Sequence, residues 1–281
     1  MAKGEWAQTT ELIEQARTIL AAQSPMTIRQ LFYRLVSVAA IENTRSDYQR
    51  VSSIMTKARN DGRVDFNQIV DRSRPEYRPN VFKDAARYAY VVSRSYRKDY
   101  WAMQPERCEI WVEKDSIIGS IEELTDDLGL TVRVGRGFLS TTKAHDLAEL
   151  ISASTKPMTV FYLGDHDPSG RFIETDLHDR IAAYGAEFEM VRLAIHASDI
   201  VDFALPPLRV KEKDPRSASF IEQYGDDCVE LDALPPTELR ERIQQNVTAL
   251  MDLEAWDRAM KVEKVEIDSL EDFLSKWPSA T

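Results

Sequence analysis

The chain has 281 residues, is 43% hydrophobic and carries a net charge of −11, so it is long enough for one large domain or two ordinary ones with proper cores. It contains no run of eighteen apolar residues, and Met1-Ala2-Lys3-Gly4-Glu5-Trp6 has no apolar signal core, so neither a membrane span nor a secretory leader is expected. Two cysteines (Cys108, Cys228) without CxxC spacing and four scattered histidines (His145, His166, His178, His196) give no reason to expect a disulfide framework or a structural zinc site, and they point to a reducing compartment.

The charge is uneven. Residues 1–104 hold 17 Lys and Arg against 11 Asp and Glu, whereas residues 105–281 hold 19 against 36. A basic module over 1–104 followed by an acidic one over 105–281 is expected, the other reading being a simple drift of surface charge.

In chain order, residues 7–22 have helical periodicity (Leu12, Ile13, Ala16, Ile19, Leu20) that ends at Ser24-Pro25. Thr27 reads as the N-cap of a helix over 28–39 with Ile28, Leu31, Phe32, Leu35 and Val36 as its stripe. A third helix is expected from Asp47 to Asn60, stopping at Asp61-Gly62, and 64–70 reads as a short strand or helix. With Arg50, Lys57, Arg59, Arg63, Arg72 and Arg74 along it, this order resembles a winged helix-turn-helix; a small helical bundle with a solvated basic face is the alternative. A helix over 80–98 and a polar connector at 104–107 follow.

Beyond that point strands and helices alternate. Strands are expected at 108–112, 131–134, 158–163 and 188–195, with helices at 115–127, 141–152 and 170–184 between them and two tail helices over 237–275. This alternation predicts an α/β fold with a mostly parallel sheet, whose sites lie at the carboxyl ends of the strands. Two strands end in acids: Trp111-Val112-Glu113-Lys114 and Phe161-Tyr162-Leu163-Gly164-Asp165-His166-Asp167-Pro168-Ser169-Gly170. Residues two apart on an extended segment face the same side, so Asp165 and Asp167 are expected to aim at one point and, with Glu113, to form an oxygen-only cluster suited to Mg²⁺. Each acid alone also reads as a cap or turn residue. His166, between the aspartates, reads as structural.

This pattern of a strand ending in Glu and a later strand ending in Asp-x-Asp resembles the TOPRIM domain. The forms Val112-Glu113-Lys114 and Gly164-Asp165-His166-Asp167-Pro168-Ser169-Gly170 resemble in particular the topoisomerase VI A subunit and its relatives, including the meiotic double-strand-break transesterase and the short Topo mini-A homologues. Arg29-Gln30-Leu31-Phe32-Tyr33 matches the family's Arg-x-x-(aromatic)-Tyr motif, and Cys228-Val229-Glu230-Leu231-Asp232-Ala233-Leu234-Pro235-Pro236 is similar to a late Ala-Leu-Pro segment. The resemblance covers about 27–250. Two departures stand out: topoisomerase VI A subunits are longer, and Gly135-Arg136-Gly137-Phe138 lacks the Lys-Gly-x-Pro form.

The resemblance implies an N-terminal winged-helix (CAP-like) domain at 1–104 carrying a catalytic Tyr33, and a C-terminal TOPRIM domain with helical tail at 105–281 holding Mg²⁺ on Glu113, Asp165 and Asp167. Arg29, one helical turn before Tyr33, would assist at the phosphate, and Lys114 would add charge. It further implies a type IIB-like topoisomerase that cleaves double-stranded DNA through a 5′-phosphotyrosyl link. A homodimer is implied, in which one subunit's tyrosine meets the other's metal site, with a separate GHKL-type ATPase subunit and a cytoplasmic, nucleoid-associated location. The alternatives are a hydrolytic TOPRIM nuclease and a non-catalytic winged-helix DNA binder. Tyr33 also reads as a core aromatic beside Phe32, and Tyr48, among Arg45 and Arg50, is the competing tyrosine.

Overall fold

Residues 3–70, 79–135, 139–210 and 214–276 are described by the computed structural model of the chain. Three helices open it: α1 (Lys3–Gln23), α2 (Ile28–Ser37) and α3 (Arg45–Asn60). Before α2, Thr27 Oγ1 accepts from Gln30 N and the Gln30 side chain accepts from Thr27 N, which satisfies two donors that the helix itself leaves unpaired. Apolar spacing then turns Leu12, Ile13, Ala16 and Leu20 of α1, Leu31 and Leu35 of α2, and Val51, Met55 and Ala58 of α3 into one buried core. The stretch over 64–70, read as a short strand or helix, holds a 3-10 turn, Phe66–Gln68, followed by a bridge from Ile69 to Met26. No strand pair lies beside these helices among the described residues. Arg72 and Arg74, and residues 136–138 of the divergent glycine segment, lie outside the described residues. α4 (Ala85–Ser95) is shorter than the 80–98 expectation, because Asp84 caps its start by accepting from Arg87 N.

The second half is α/β: β1 (Arg107–Val112), α5 (Ile118–Asp127), β2 (Thr131–Val134), α6 (Thr141–Ser152), β3 (Met158–Leu163), α7 (Pro168–Ala182) and β4 (Glu189–Ala194). The four strands are parallel in the order β2-β1-β3-β4. Alternation along β1 and β3 splits the sheet's two faces. Ile110, Val112, Phe161 and Leu163 join the core shared with α1, α2 and α5, while Trp111, Val160 and Tyr162 pack with Ala144, Ala148 and Leu177 of α6 and α7. β1 leads to β2 on one side, and β3 returns to the other. The direction of winding therefore reverses between β1 and β3, which leaves a crevice at their carboxyl ends.

After β4 come α8 (Ala197–Asp202), β5 (Leu208–Arg209), α9 (Ser217–Tyr224), β6 (Asp227–Cys228), α10 (Pro236–Ala249) and α11 (Leu253–Ser275). The sequence reading anticipated the last two helices only; the two-residue strands and the six-residue helix are too short for periodicity to register. Among the described residues no helix is long and apolar enough to cross a membrane.

α10 is tied to α8 by a two-pronged ion pair, Arg242 Nη2 to Asp199 Oδ1 at 2.7 Å and Nη1 to Oδ2 at 3.0 Å. Burial alone would raise the Asp199 carboxyl, but hydrogen bonds from Arg242 and His196 N outweigh it and hold its pKa below the ordinary value. A depressed carboxyl contributes stability above its unfolded pKa of about 3.9, and that contribution is lost as pH falls through the folded value. Asp199→Asn is therefore expected to lower the urea midpoint at pH 7, with the gap to wild type closing below about pH 4. A gap of constant size down to pH 2 would exclude the charge as its source.

Candidate active site

The crevice between β1 and β3 collects the acids singled out in the sequence. Glu113 directly follows β1, its N–H donates to Leu163 O at 2.9 Å, and its Oε2 accepts from Asp165 N at 2.9 Å. Gly170 makes that approach possible: a Cβ there would lie 2.5 Å from Asp165 O and 3.0 Å from Glu113 Oε2. Asp165 is buried, with Oδ1 accepting from Leu231 N at 2.8 Å and Oδ2 at 2.7 Å from Lys114 Nζ. Asp167 caps α7, its Oδ1 accepting from Gly170 N at 2.7 Å. The strand ends at Leu163, so the two-residue alternation expected to aim both aspartates at one point does not extend to them. They share a loop but are engaged differently, one in an ion pair and one as a helix cap. His166 is buried between the Phe220 and Tyr224 rings, neither ring nitrogen has a hydrogen-bond partner among the described residues, and burial first of all lowers its pKa to about 4. That environment matches the structural role expected of it.

Arg192 of β4 fixes this loop from beneath. Its Nη1 donates to the carbonyls of Gly164 (2.8 Å), Asp165 (3.3 Å), Ala194 (3.2 Å) and Ile195 (3.2 Å), its Nε donates to Glu174 at 2.8 Å, and its guanidinium lies 5.2 Å from the Tyr162 ring centroid.

The N-terminal helices reach the same crevice. α2 docks on the 3-10 turn Leu231–Ala233. Arg34 Nη2 donates to Ala233 O, and Ser120 Oγ of α5 donates to Gln30 Oε1 at 2.7 Å. At this seam Arg29 grips Glu230 through both prongs, Nε to Oε2 and Nη2 to Oε1, each 2.5 Å. The charges of Glu230 and Arg29 both act on the Tyr33 hydroxyl, in opposite directions. Lys114 Nζ, 3.7 Å from both Glu230 Oε2 and Asp232 Oδ2, continues the chain of charges to Asp165. Arg29, Tyr33, Lys114 and Asp165 therefore form one connected set within a single chain, with Glu113 joined to it through the Asp165 backbone.

Carboxylates outnumber cations there, and their pKa values shift accordingly. Burial, then the charge of Asp165, pushes Glu113 up to about 7. Burial likewise raises Asp165 and Asp232 against the pull of Lys114. Glu230 is the exception: burial would raise it, but the Arg29 hydrogen bonds and the Lys114 charge outweigh burial and lower it. Tyr33, only 4% exposed, is pushed up to about 12 by burial and then by the Glu230 charge, with Arg29 pulling the other way. At rest it is a buried, protonated phenol.

The oxygen-only donors Glu113, Asp165 and Asp167 suit a hard cation such as Mg²⁺ in type, and the raised Glu113 carboxyl marks a local excess of negative charge. In arrangement, no three His, Cys, Asp or Glu side chains among the described residues converge so as to hold a metal ion, and Lys114 supplies the counter-charge to Asp165. Glu230, Asp232 and Arg192 were not among the site residues expected from the sequence. Glu230 and Asp232 lie about 200 positions from Arg29 and Thr27 along the chain, and their only signal was an acidic pair two residues apart in the late Ala-Leu-Pro segment.

No protein-family model matches the chain, and no curated protein matches its sequence.

Replacing Glu230 removes the acid that raises Tyr33, so Glu230→Gln is expected to make one tyrosine ionise at lower pH than in wild type, and Arg29→Met to move it higher. Tyrosine-resolved NMR titration checks both. Identical titrations in all three proteins would separate Tyr33 from the pair.

Proposed function

We propose that the chain is a DNA-cleaving transesterase of the topoisomerase VI A-subunit type, in which a winged-helix domain (1–104) presents Tyr33 to a TOPRIM domain (105–281). The observation that carries this is the seam itself: a tyrosine and an arginine one helical turn apart meet the acid-lined switch point of a parallel sheet. Arg29 holds the scissile phosphate and Tyr33 Oη attacks the phosphorus. The phenolic proton passes to the Glu230 carboxylate, whose charge already acts on the hydroxyl. The bond from phosphorus to the 3′ oxygen breaks, leaving a 5′-phosphotyrosyl link and a 3′-hydroxyl that takes its proton from solvent. Lys114 stabilises charge on the phosphate. By the motif resemblance, Glu113, Asp165 and Asp167 would be the residues to hold Mg²⁺, which would supply further neutralisation of negative charge, although their side chains do not converge as a ready-made metal site among the described residues. Duplex DNA is the substrate, and a homodimer cuts both strands. No GxxxxGK[ST] motif occurs in the chain, so ATP-driven strand passage requires a separate GHKL-type ATPase. These last assignments rest on the motif resemblance.

One observation favours a second reading. A tyrosine 4% exposed with a pKa near 12 is a poor nucleophile, as in a hydrolytic TOPRIM nuclease where Tyr33 merely anchors Glu230. Incubation with 3′-labelled duplex and Mg²⁺, which puts the label on the fragment that carries the new 5′ end, followed by denaturing electrophoresis, separates the two. The transesterase leaves protein on the 5′ end and the Tyr33→Phe variant leaves none; free ends made equally by both proteins would establish hydrolysis.

The single-chain seam also bears on the subunit arrangement. A mixture of Tyr33→Phe and Asp165→Asn proteins is expected to recover cleavage only if tyrosine and acids act across subunits. If they act within one chain, as the Arg29–Glu230 contact favours, the mixture stays inactive.

A further inference from the structure

Beside the seam, a cavity of about 730 Å³ opens between α2, α3 and the carboxyl end of β1, lined by Arg29, Tyr48, Arg59, Lys114, Ser116 and Asp232 among others. Its walls hold three cations from three elements, an aromatic ring, and two polar groups without hydrogen-bond partners among the described residues. Arg59 Nε is buried and unpaired, its guanidinium 5.3 Å from the Phe66 ring centroid. Asp232 is fully buried, and its Oδ2 makes no hydrogen bond, lying only within 3.7 Å of Lys114 Nζ. A donor and an acceptor both left unmade in one cavity are costly unless a ligand meets them. Tyr48 is held edge-on by Phe32 at 5.5 Å and 88° yet remains half-exposed at the cavity wall. Arg29, at 5.9 Å from the Tyr48 centroid, sits at the outer limit of a cation–π contact, a weak cover for the ring.

We propose that this cavity takes a single unpaired nucleotide of the DNA strand, its base stacked on Tyr48 and its phosphate held by Arg29, Arg59 and Lys114. The inference rests on the DNA-cleaving reading and deepens it. The volume lies within the ~300–1,000 Å³ range that accepts a small-molecule-sized group, too small for stacked base pairs. An aromatic platform with cations around it is how single strands are bound without sequence preference. The Asp232 carboxylate accepts from donor groups on the base edge, and Arg59 Nε donates to the phosphate. Because Arg29 belongs both to the cavity and to Tyr33, the nucleotide is the one next to the scissile phosphate. An unpaired or mismatched position enters most easily, since little pairing has to be broken.

The test uses the full chain without Mg²⁺, so that nothing is cut, and duplexes carrying 2-aminopurine at one position, either paired or unpaired. The unpaired duplex is expected to bind roughly tenfold tighter, with its fluorescence quenched by stacking. Tyr48→Leu should abolish both the preference and the quenching, and Tyr48→Phe, which keeps the ring, should retain them. Equal affinities with unchanged fluorescence would overturn the proposal while leaving the DNA-cleaving reading standing. Failure to bind either duplex would overturn that reading and this inference together. Free dAMP binding with the same Tyr48 dependence, while the unpaired duplex shows no preference, would identify a free nucleotide as the ligand and also overturn the strand assignment.

Discussion

Everything at the switch point depends on how buried carboxylates are neutralised. Asp232 has no exposed surface and Asp165 almost none, and a carboxylate so placed costs several kcal/mol unless a cation answers it. Two cations do. Lys114 comes from the carboxyl end of β1, and Arg29 arrives from α2, a separate part of the chain. Burial alone would lower the Lys114 pKa, yet the charges of Asp165, Asp232 and Glu230 outweigh it and hold the ammonium charged. The docking of the N-terminal helices on the sheet is thus electrostatic at its centre and apolar around it. The same core cluster runs from Leu12 through Val112 to Val247. Cutting the Arg29–Glu230 pair would leave an unanswered acid at that interface, so the geometry of Tyr33 and the stability of the seam are coupled.

Backbone geometry imposes a second constraint. Asp165 and Asp167 sit where they do because β3 stops at Leu163, Arg192 collects the carbonyls beyond it, and Gly170 leaves room for Glu113 to come close. Arg192 therefore positions the loop without touching the carboxylates. A lysine there would carry the charge but not the planar fork that reaches several carbonyls at once.

Much of this was legible in the sequence. Periodicity placed the four parallel strands and the helices between them within three residues, because each runs at least four residues with a clear apolar pattern. Two strands ending in acids could share an edge only if they were neighbours, and β1 and β3 are. Other features could not be read that way. Asp167 looked like one half of a matched pair, but the proline and glycine after it start a helix, and its carboxylate caps that helix. The partners of Arg29 and Lys114 lie in a turn about 200 and 115 positions away, where an acidic dipeptide pattern carries no local signal of what it faces. The short pair of strands β5 and β6 follows from tertiary packing, to which local pattern is blind.

The resting state of Tyr33 constrains what any substrate must do. Its hydroxyl feels the charge of a carboxylate held ionised by Arg29, inside a site that disfavours phenolate. On the proposed function, an incoming phosphate competes for the same guanidinium prongs that Glu230 now occupies. As Arg29 turns to the phosphate, Glu230 loses its strongest partner and becomes more basic. Binding an anion at Arg29 therefore raises the proton affinity of the very group that faces the phenol. The ion pair that keeps the tyrosine protonated in the free protein is the one whose exchange prepares it to give the proton up. Lys114, 3.7 Å from the same carboxylate, limits how far that basicity can rise. The balance between Arg29 and Lys114 at Glu230 is what separates a silent buried phenol from a nucleophile.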